Sequence, residues 1–157
     1  MFSLIDPFIA LLLVMFLHVM EEAFFKWPDW VRKMTGFSHI GWLDFTLVNA
    51  VMFALGGTGA LVRWEYPVFS LANASLVVIN GILFHLLPTL KTRVYSPGLV
   101  TGIVLYIPAG TWLYIEAFKE GILNSNILIF SILLGCFYMS LPMLIQFMIW
   151  KKAKASK

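Results

Sequence analysis

The sequence predicts an all-α fold: a polytopic membrane bundle of five transmembrane helices, N-terminus outside and C-terminus cytoplasmic. Three observations predict it. Of the 157 residues, 61% are apolar and only 12% charged, whereas soluble domains are about 45–50% apolar and about 25% charged. The mean hydropathy is +0.88. Five apolar runs are long enough to cross a bilayer, which takes about 20 residues each. Finally, Lys and Arg alternate between the runs in a one-sided way. Five spans use roughly 100 residues, so the chain reads as one transmembrane domain, 1–157, with its chemistry in or at the membrane.

The first span covers about 4–25. Its N-terminal flank lacks a basic segment, so it reads as a retained helix and not a cleaved signal peptide. Its polar residues gather at the far end as His18, Glu21 and Glu22. Residues 26–44 form a mixed connector with Trp27, Trp30 and Trp42 among Lys26, Arg32 and Lys33. Tryptophan beside Lys or Arg suits the headgroup layer, so the connector should lie on the membrane surface as a short helix or loop. The second span, about 45–64, holds Gly56, Gly57 and Gly59, which allow close helix approach or a kink. The third, about 68–90, carries Asn73, Asn80 and His85, and a basic loop follows. Pro97-Gly98 opens the fourth, about 98–118; Pro fits a first helical turn because its missing N–H has no partner there. Gly98 and Gly102 form a small-xxx-small pair. The fifth, about 122–150, is long for one span and should tilt, protrude or kink at Pro142.

With the N-terminus outside, the inner side holds Lys26, Arg32, Lys33, Lys91, Arg93, Lys151, Lys152, Lys154 and Lys157, and the outer side Arg63 and Lys119. That is 9 of the 11 cations inside, as cytoplasmic loops require. A bacterial cytoplasmic membrane is the expected location. The basic residues flank apolar runs, so the pI near 9.1 does not indicate nucleic acid. The one cysteine, Cys136, excludes an intramolecular disulfide.

Topology brings the polar residues together. The first and third spans both run inward. His18 stands eight residues before Lys26, and His85 six before Lys91, roughly 12 and 9 Å along a helix. The two histidines therefore share a depth near the inner face. Tyr95, Ser96 and Thr101 join that layer from the start of the fourth span, as do Asn49 and Gln146. Glu65 and Glu116 fall near the other face. On an α-helix Glu21 lies about 60° to one side of His18 and Glu22 about 40° to the other, so all three can converge. Imidazole and carboxylate suit Zn, Fe or Mn. The candidate metal ligands are His18, Glu21, Glu22 and His85, for a divalent ion, Zn by choice. The alternative use is acid–base, with Glu21 and Glu22 as the catalytic carboxylates. The plain structural reading is that the glutamates snorkel to water and the histidines bond locally. His39 reads as a surface histidine, and Tyr106, Trp112 and Tyr114 as lipid-facing or packing residues. The glycine run at 56–59 lacks the Lys-Ser/Thr of a phosphate loop.

His18-Val-Met-Glu21-Glu22 resembles the signature of the HXXEE family of small integral membrane proteins. Tyr95-Ser-Pro97-Gly98-Leu-Val-Thr101 is similar to that family's Tyr-x-Pro-Gly-x-x-Thr motif. Its Asn and His stand here as Asn80 and His85, five positions apart where the family pattern has four. On an α-helix that puts Asn80 about 140° from His85. The resemblance covers about residues 10–120 and implies no known reaction. It adds Tyr95, Thr101 and Asn80 as groups that orient ligands or substrate.

The leading expectation is a membrane-embedded metal-dependent enzyme, a hydrolase by preference, acting on a lipid or other apolar substrate at the inner leaflet. A carboxylate off the metal would serve as general base. The second is a proton- or cation-coupled carrier or binding protein using the same cluster. The third is a structural or regulatory subunit. Glu21-Glu22-x-x-x-Lys26 is also similar to part of the CAAX-type intramembrane protease motif, but the other motifs do not fit. Membrane lipid is the expected partner, and a homo-oligomer is compatible with the sequence.

Overall fold

The computed structural model of the chain describes residues 6–155. Leu4 and Ile5 of the predicted first span, and Lys157 of the predicted inner cations, lie outside the described residues. Among the described residues the elements are helical: α1 (Pro7–Phe24), α2 (Trp27–Thr35), α3 (Trp42–Glu65), α4 (Pro67–Thr92), α5 (Leu99–Lys119) and α6 (Ser125–Ala155). All but α2 are long and apolar enough to cross a membrane. The exterior is apolar too, with Leu61 84%, Phe24 78% and Phe118 73% exposed, a surface compatible with lipid.

Asp6 starts α1. Its carboxylate accepts the amides of Phe8 and Ile9 at 2.9 and 3.2 Å, with Pro7 in the first turn. Its other oxygen meets Arg63 at 2.6 Å, which ties the start of α1 to the end of α3. The predicted surface connector does contain a short helix. Lys26, left-handed at φ 54°, breaks the chain before α2, and Gly36 at φ 74° ends it. Asp44 accepts the Gly41 amide at 2.9 Å and caps α3, which begins at Trp42, three residues before the predicted Phe45. Pro142 sits inside α6, which continues through it to Ala155.

The central helix is α4. Every residue from Ser70 to Val77 is buried, the mark of a helix surrounded by others. It packs on α6, α5 and α3. The core joins Phe8, Leu11 and Met15 of α1 to Leu71, Leu76 and Val77 of α4 and Leu113 of α5. Three hydroxyls inside the bundle pair with one another: Tyr114 Oη lies 2.5 Å from Ser75 Oγ and 2.7 Å from Ser131 Oγ. Tyr114 is thus a packing residue with a bonded hydroxyl. Trp112 donates to Glu116 at 3.1 Å.

Two helices change pitch. α4 is a π-helix over Asn80–Leu86, and α5 over Gly102–Tyr106. Each π-segment runs up to a proline near the start of the next α-helical segment, Pro88 and Pro108. A proline inside a helix lacks the N–H for the carbonyl four residues back and its ring collides with that carbonyl. Widening the turn relieves both, with Leu87 N–H reaching Ile82 O and Ile107 N–H reaching Gly102 O, five residues back. The two wide turns touch. A Cβ on Gly81 would stand 2.7 Å from Gly102 O, so only glycine allows this approach.

Candidate metal centre

The wide turn in α4 sets up the site. With i→i+5 bonding, residues five apart come round onto one another, so the extra residue between Asn80 and His85 is absorbed. Asn80 then lines the same cavity as His18 and Glu22, instead of being carried about 140° away as on an α-helix.

His18 and Glu22 of α1 meet His85 of α4. Their residues are 2%, 6% and 0% exposed. Glu22 Oε1 lies 3.7 Å from His18 Nε2 and 3.6 Å from His85 Nε2. One ligand atom from each of the three falls within 4.8 Å of the other two. The imidazole rings stand edge to face at 4.8 Å. The equal depth expected of the two histidines is therefore a direct contact.

The outer nitrogens of both rings are occupied. His18 Nδ1 is 2.8 Å from Thr101 Oγ1, and His85 Nδ1 is 3.1 Å from Ser96 Oγ. Ser96 in turn donates to Phe84 O at 3.4 Å, the carbonyl that Pro88 leaves without a helical donor. Ser96 therefore accepts from His85. Both Nε2 atoms are buried without a hydrogen-bond partner. Both Nε2 atoms thus face one oxygen of Glu22 beyond hydrogen-bond reach, and the Asn80 side chain, whose Oδ1 is also buried without a partner, lies beside His18. Buried polar atoms left so are rare and point to a missing partner. A cation satisfies both rings and Glu22 at once. Ligands at about 2.0–2.1 Å around a tetrahedral zinc stand roughly 3.4 Å apart; the two distances to Glu22 are close to that, and the full set, within 4.8 Å, closes on an ion by a small inward movement of the rings. The residues fit a divalent metal.

Glu21, read from the sequence as a ligand, is not in this group. Its carboxylate turns to the start of α5. Oε2 accepts the Thr101 amide at 2.7 Å and the Thr101 hydroxyl at 2.5 Å. Oε1 accepts the amides of Gly98 and Val100, both at 3.2 Å, and the hydroxyl of Tyr95. The reason is proximity: the helix N-terminus presents unpaired amides that a carboxylate satisfies. Tyr95 and Thr101 thus hold Glu21, and Thr101 reaches His18 as well. Burial, then the Glu21 carboxylate, hold the Tyr95 phenol above its ordinary pKa, so it remains a donor.

Gly98 closes the site. It is left-handed at φ 95°, and a Cβ there would stand 2.6 Å from His85 Cε1 and 2.7 Å from His18 Cε1. Its backbone rests on both rings. Tyr106, read as a lipid-facing or packing residue, is 4% exposed and stacks on His18 at 4.0 Å. Nothing in its local sequence separates it from an aromatic stripe; the π-segment turns it inward. His39 is half-buried. Its Nε2 lies 2.8 Å from Gln146 Oε1, and Gln146 donates to Asp44 at 2.9 Å. Asn49 donates to Phe45 O of its own helix.

A cavity of about 660 Å³ opens beside the cluster. His18, Glu22 and Asn80 form one wall; Trp30, Met52 and Phe84 are among its mostly apolar lining.

The chain is 27% identical over 143 residues to the "Uncharacterized protein YrkK" of Bacillus subtilis (strain 168), covering 83% of this chain and 87% of that one. No solved structure matches. Residues 9–113 match the family described as "Protein of unknown function with HXXEE motif", a stretch that contains His18, Glu21, Glu22, Asn80, His85, Tyr95 and Thr101 together. The chain belongs to the HXXEE family.

Proposed function

We propose that this is a membrane-embedded, metal-dependent enzyme, a hydrolase of single-chain amphiphiles, working near the inner leaflet with its C-terminus cytoplasmic. The observation that carries it is the pair of unpartnered Nε2 atoms facing Glu22 beside a large apolar cavity. Two histidines and one glutamate are a catalytic zinc set, which leaves a coordination position for water or substrate. Zinc is the ion we assign. When bound, such an ion acts as a Lewis acid and brings a water's pKa to about 7.

The residues divide the work. His18, His85 and Glu22 hold the ion. Glu21 has accepted five hydrogen bonds and has no place for a water proton, so no carboxylate off the metal is free, and the oxygen of Glu22 that does not face the histidines is the one left for proton transfer. Tyr106 and Gly98 keep the rings in place, and Asn80 faces the substrate's polar group. At about 30 Å³ per water-sized group, the cavity takes roughly 20 heavy atoms. That is one acyl or similar chain with a small head, not a two-chain lipid.

Metal analysis of detergent-purified protein tests this. About one equivalent of divalent metal is expected, absent from folded His18→Ala and His85→Ala. Loaded protein should cleave a single-chain ester or amide in mixed micelles. Folded wild-type protein that binds no divalent metal overturns the reading. Metal flux into vesicles that depends on Glu22, without hydrolysis, would make the cluster the site of a carrier.

A further inference from the structure

Glu21 touches neither ring of the cluster, yet a continuous chain of hydrogen bonds joins it to one. Its five contacts are all donors: the hydroxyls of Tyr95 and Thr101 and three backbone amides. A group that accepts five times carries no proton to give. The single hydrogen of Thr101 Oγ1 therefore points at Glu21 Oε2, 2.5 Å away. The same oxygen lies 2.8 Å from His18 Nδ1. With its hydrogen committed, Thr101 can only accept there, so the proton of His18 sits on Nδ1. The lone pair is then on Nε2, the atom that faces Glu22 and lies buried without a partner.

We infer that Glu21, acting through Thr101, is the positioning residue that locks His18 in the tautomer whose Nε2 can bind a metal. This rests on the metal reading above and deepens it. It also explains why the two signatures occur together. The second glutamate of His-x-x-Glu-Glu binds metal, and the first binds Tyr95, Gly98 and Thr101 of Tyr-x-Pro-Gly-x-x-Thr. Each motif is incomplete without the other. A carboxylate behind a metal-bound histidine fixes its tautomer and ring in the same way, and removing such a partner lowers metal affinity 10–100-fold. Here a threonine hydroxyl is inserted between the two. Tyr95, 39% exposed, fastens Glu21 from the outer end.

Three variants separate this from a structural role. Thr101→Val keeps the shape and removes the relay oxygen. Thr101→Ser keeps the oxygen. Glu21→Gln puts a donor where the acceptor was, so Thr101 takes that hydrogen and turns its own towards Nδ1, moving the His18 proton to Nε2. Zinc affinity by competition with a chelating dye should fall about 10–100-fold in Thr101→Val and Glu21→Gln, and stay within about threefold of wild type in Thr101→Ser. Nitrogen-15 NMR of the imidazoles in metal-free protein should show His18 protonated on Nδ1 in wild type and Thr101→Ser, and on Nε2 in Glu21→Gln. A wild-type His18 protonated on Nε2 refutes the inference whether or not the protein binds zinc. Wild-type protein that binds no zinc but carries the Nδ1 proton refutes the metal reading and leaves the relay standing. Normal zinc affinity in Thr101→Val refutes the positioning role.

Discussion

Replacing Glu22 by Gln should make the metal-free protein more stable while removing its ion. The carboxylate oxygen stands 3.7 and 3.6 Å from two imidazole lone pairs, too far for a hydrogen bond to either. An amide in its place brings two N–H donors to those two acceptors. Each needs a closing movement of roughly 0.7 Å to reach an ordinary N–H···N distance near 3.0 Å. At a net 0.5–1.5 kcal/mol per bond, the gain is about 1–3 kcal/mol. Relief of the carboxylate's unpaired burial adds to it. Thermal unfolding in detergent with a chelator should then place Glu22→Gln above wild type by roughly 2–12 °C, at 2–4 °C per kcal/mol for a chain of this size. Added zinc reverses the order. At 1,000 times the dissociation constant a bound ligand stabilises by about 4.1 kcal/mol, more than that gain, and only wild type should receive it. A Glu22→Gln protein that melts below wild type in chelator, or that gains as much from zinc, would refute the claim that Glu22 completes a cation site at its own expense.

Two further substitutions address the scaffold. Gly98→Ala puts a Cβ within 2.7 Å of carbons on both rings and into a left-handed conformation. Strain of about 1–2 kcal/mol and overpacking of about 1–3 kcal/mol together lower stability by roughly 2–5 kcal/mol. They also spread the histidines, so zinc affinity should fall with the melting temperature; an unchanged melt would show that the loop does not rest on the rings. Pro88→Ala restores the N–H that Phe84 O lacks, so the wide turn can tighten to α pitch. Helicity should hold or rise while zinc affinity drops, and unchanged affinity would mean that the π-segment does not set the ring position.

The five spans and the meeting of His18 with His85 were readable because both rest on long-range regularities. A run of about 20 apolar residues is a direct consequence of bilayer thickness. A similar distance from a basic loop, about 12 and 9 Å along the helix, places both histidines in one layer whatever the rotation of the helix. The rest depends on rotation, which a sequence fixes only if the helix keeps α pitch. Under that assumption Asn80 fell away from His85, and Tyr106 read as one more aromatic on a stripe. The signal that pitch changes was in the chain, at Pro88 and Pro108 inside apolar runs, and at Gly81 and Gly102 where the wide turns meet.

The division between the two adjacent glutamates was hidden for a different reason. At spacings of three and four from His18 both can reach the same point, so helix geometry alone cannot assign them. What separates Glu21 from Glu22 is the other helix. The free amides at Gly98, Val100 and Thr101 exist because a new helix begins there, and they face α1 only because Gly81 and Gly102 let α4 and α5 close to backbone contact. Glu21 is drawn to those donors and Glu22 is left with acceptors. The same packing step that satisfies one carboxylate therefore creates the unsatisfied set at the other. A substitution that separates α4 from α5, such as Gly102→Val, should release Glu21 and lose the metal together. If zinc affinity survives in a folded Gly102→Val protein, with Glu21 detached from Thr101 by NMR, the coupling of the two motifs is wrong.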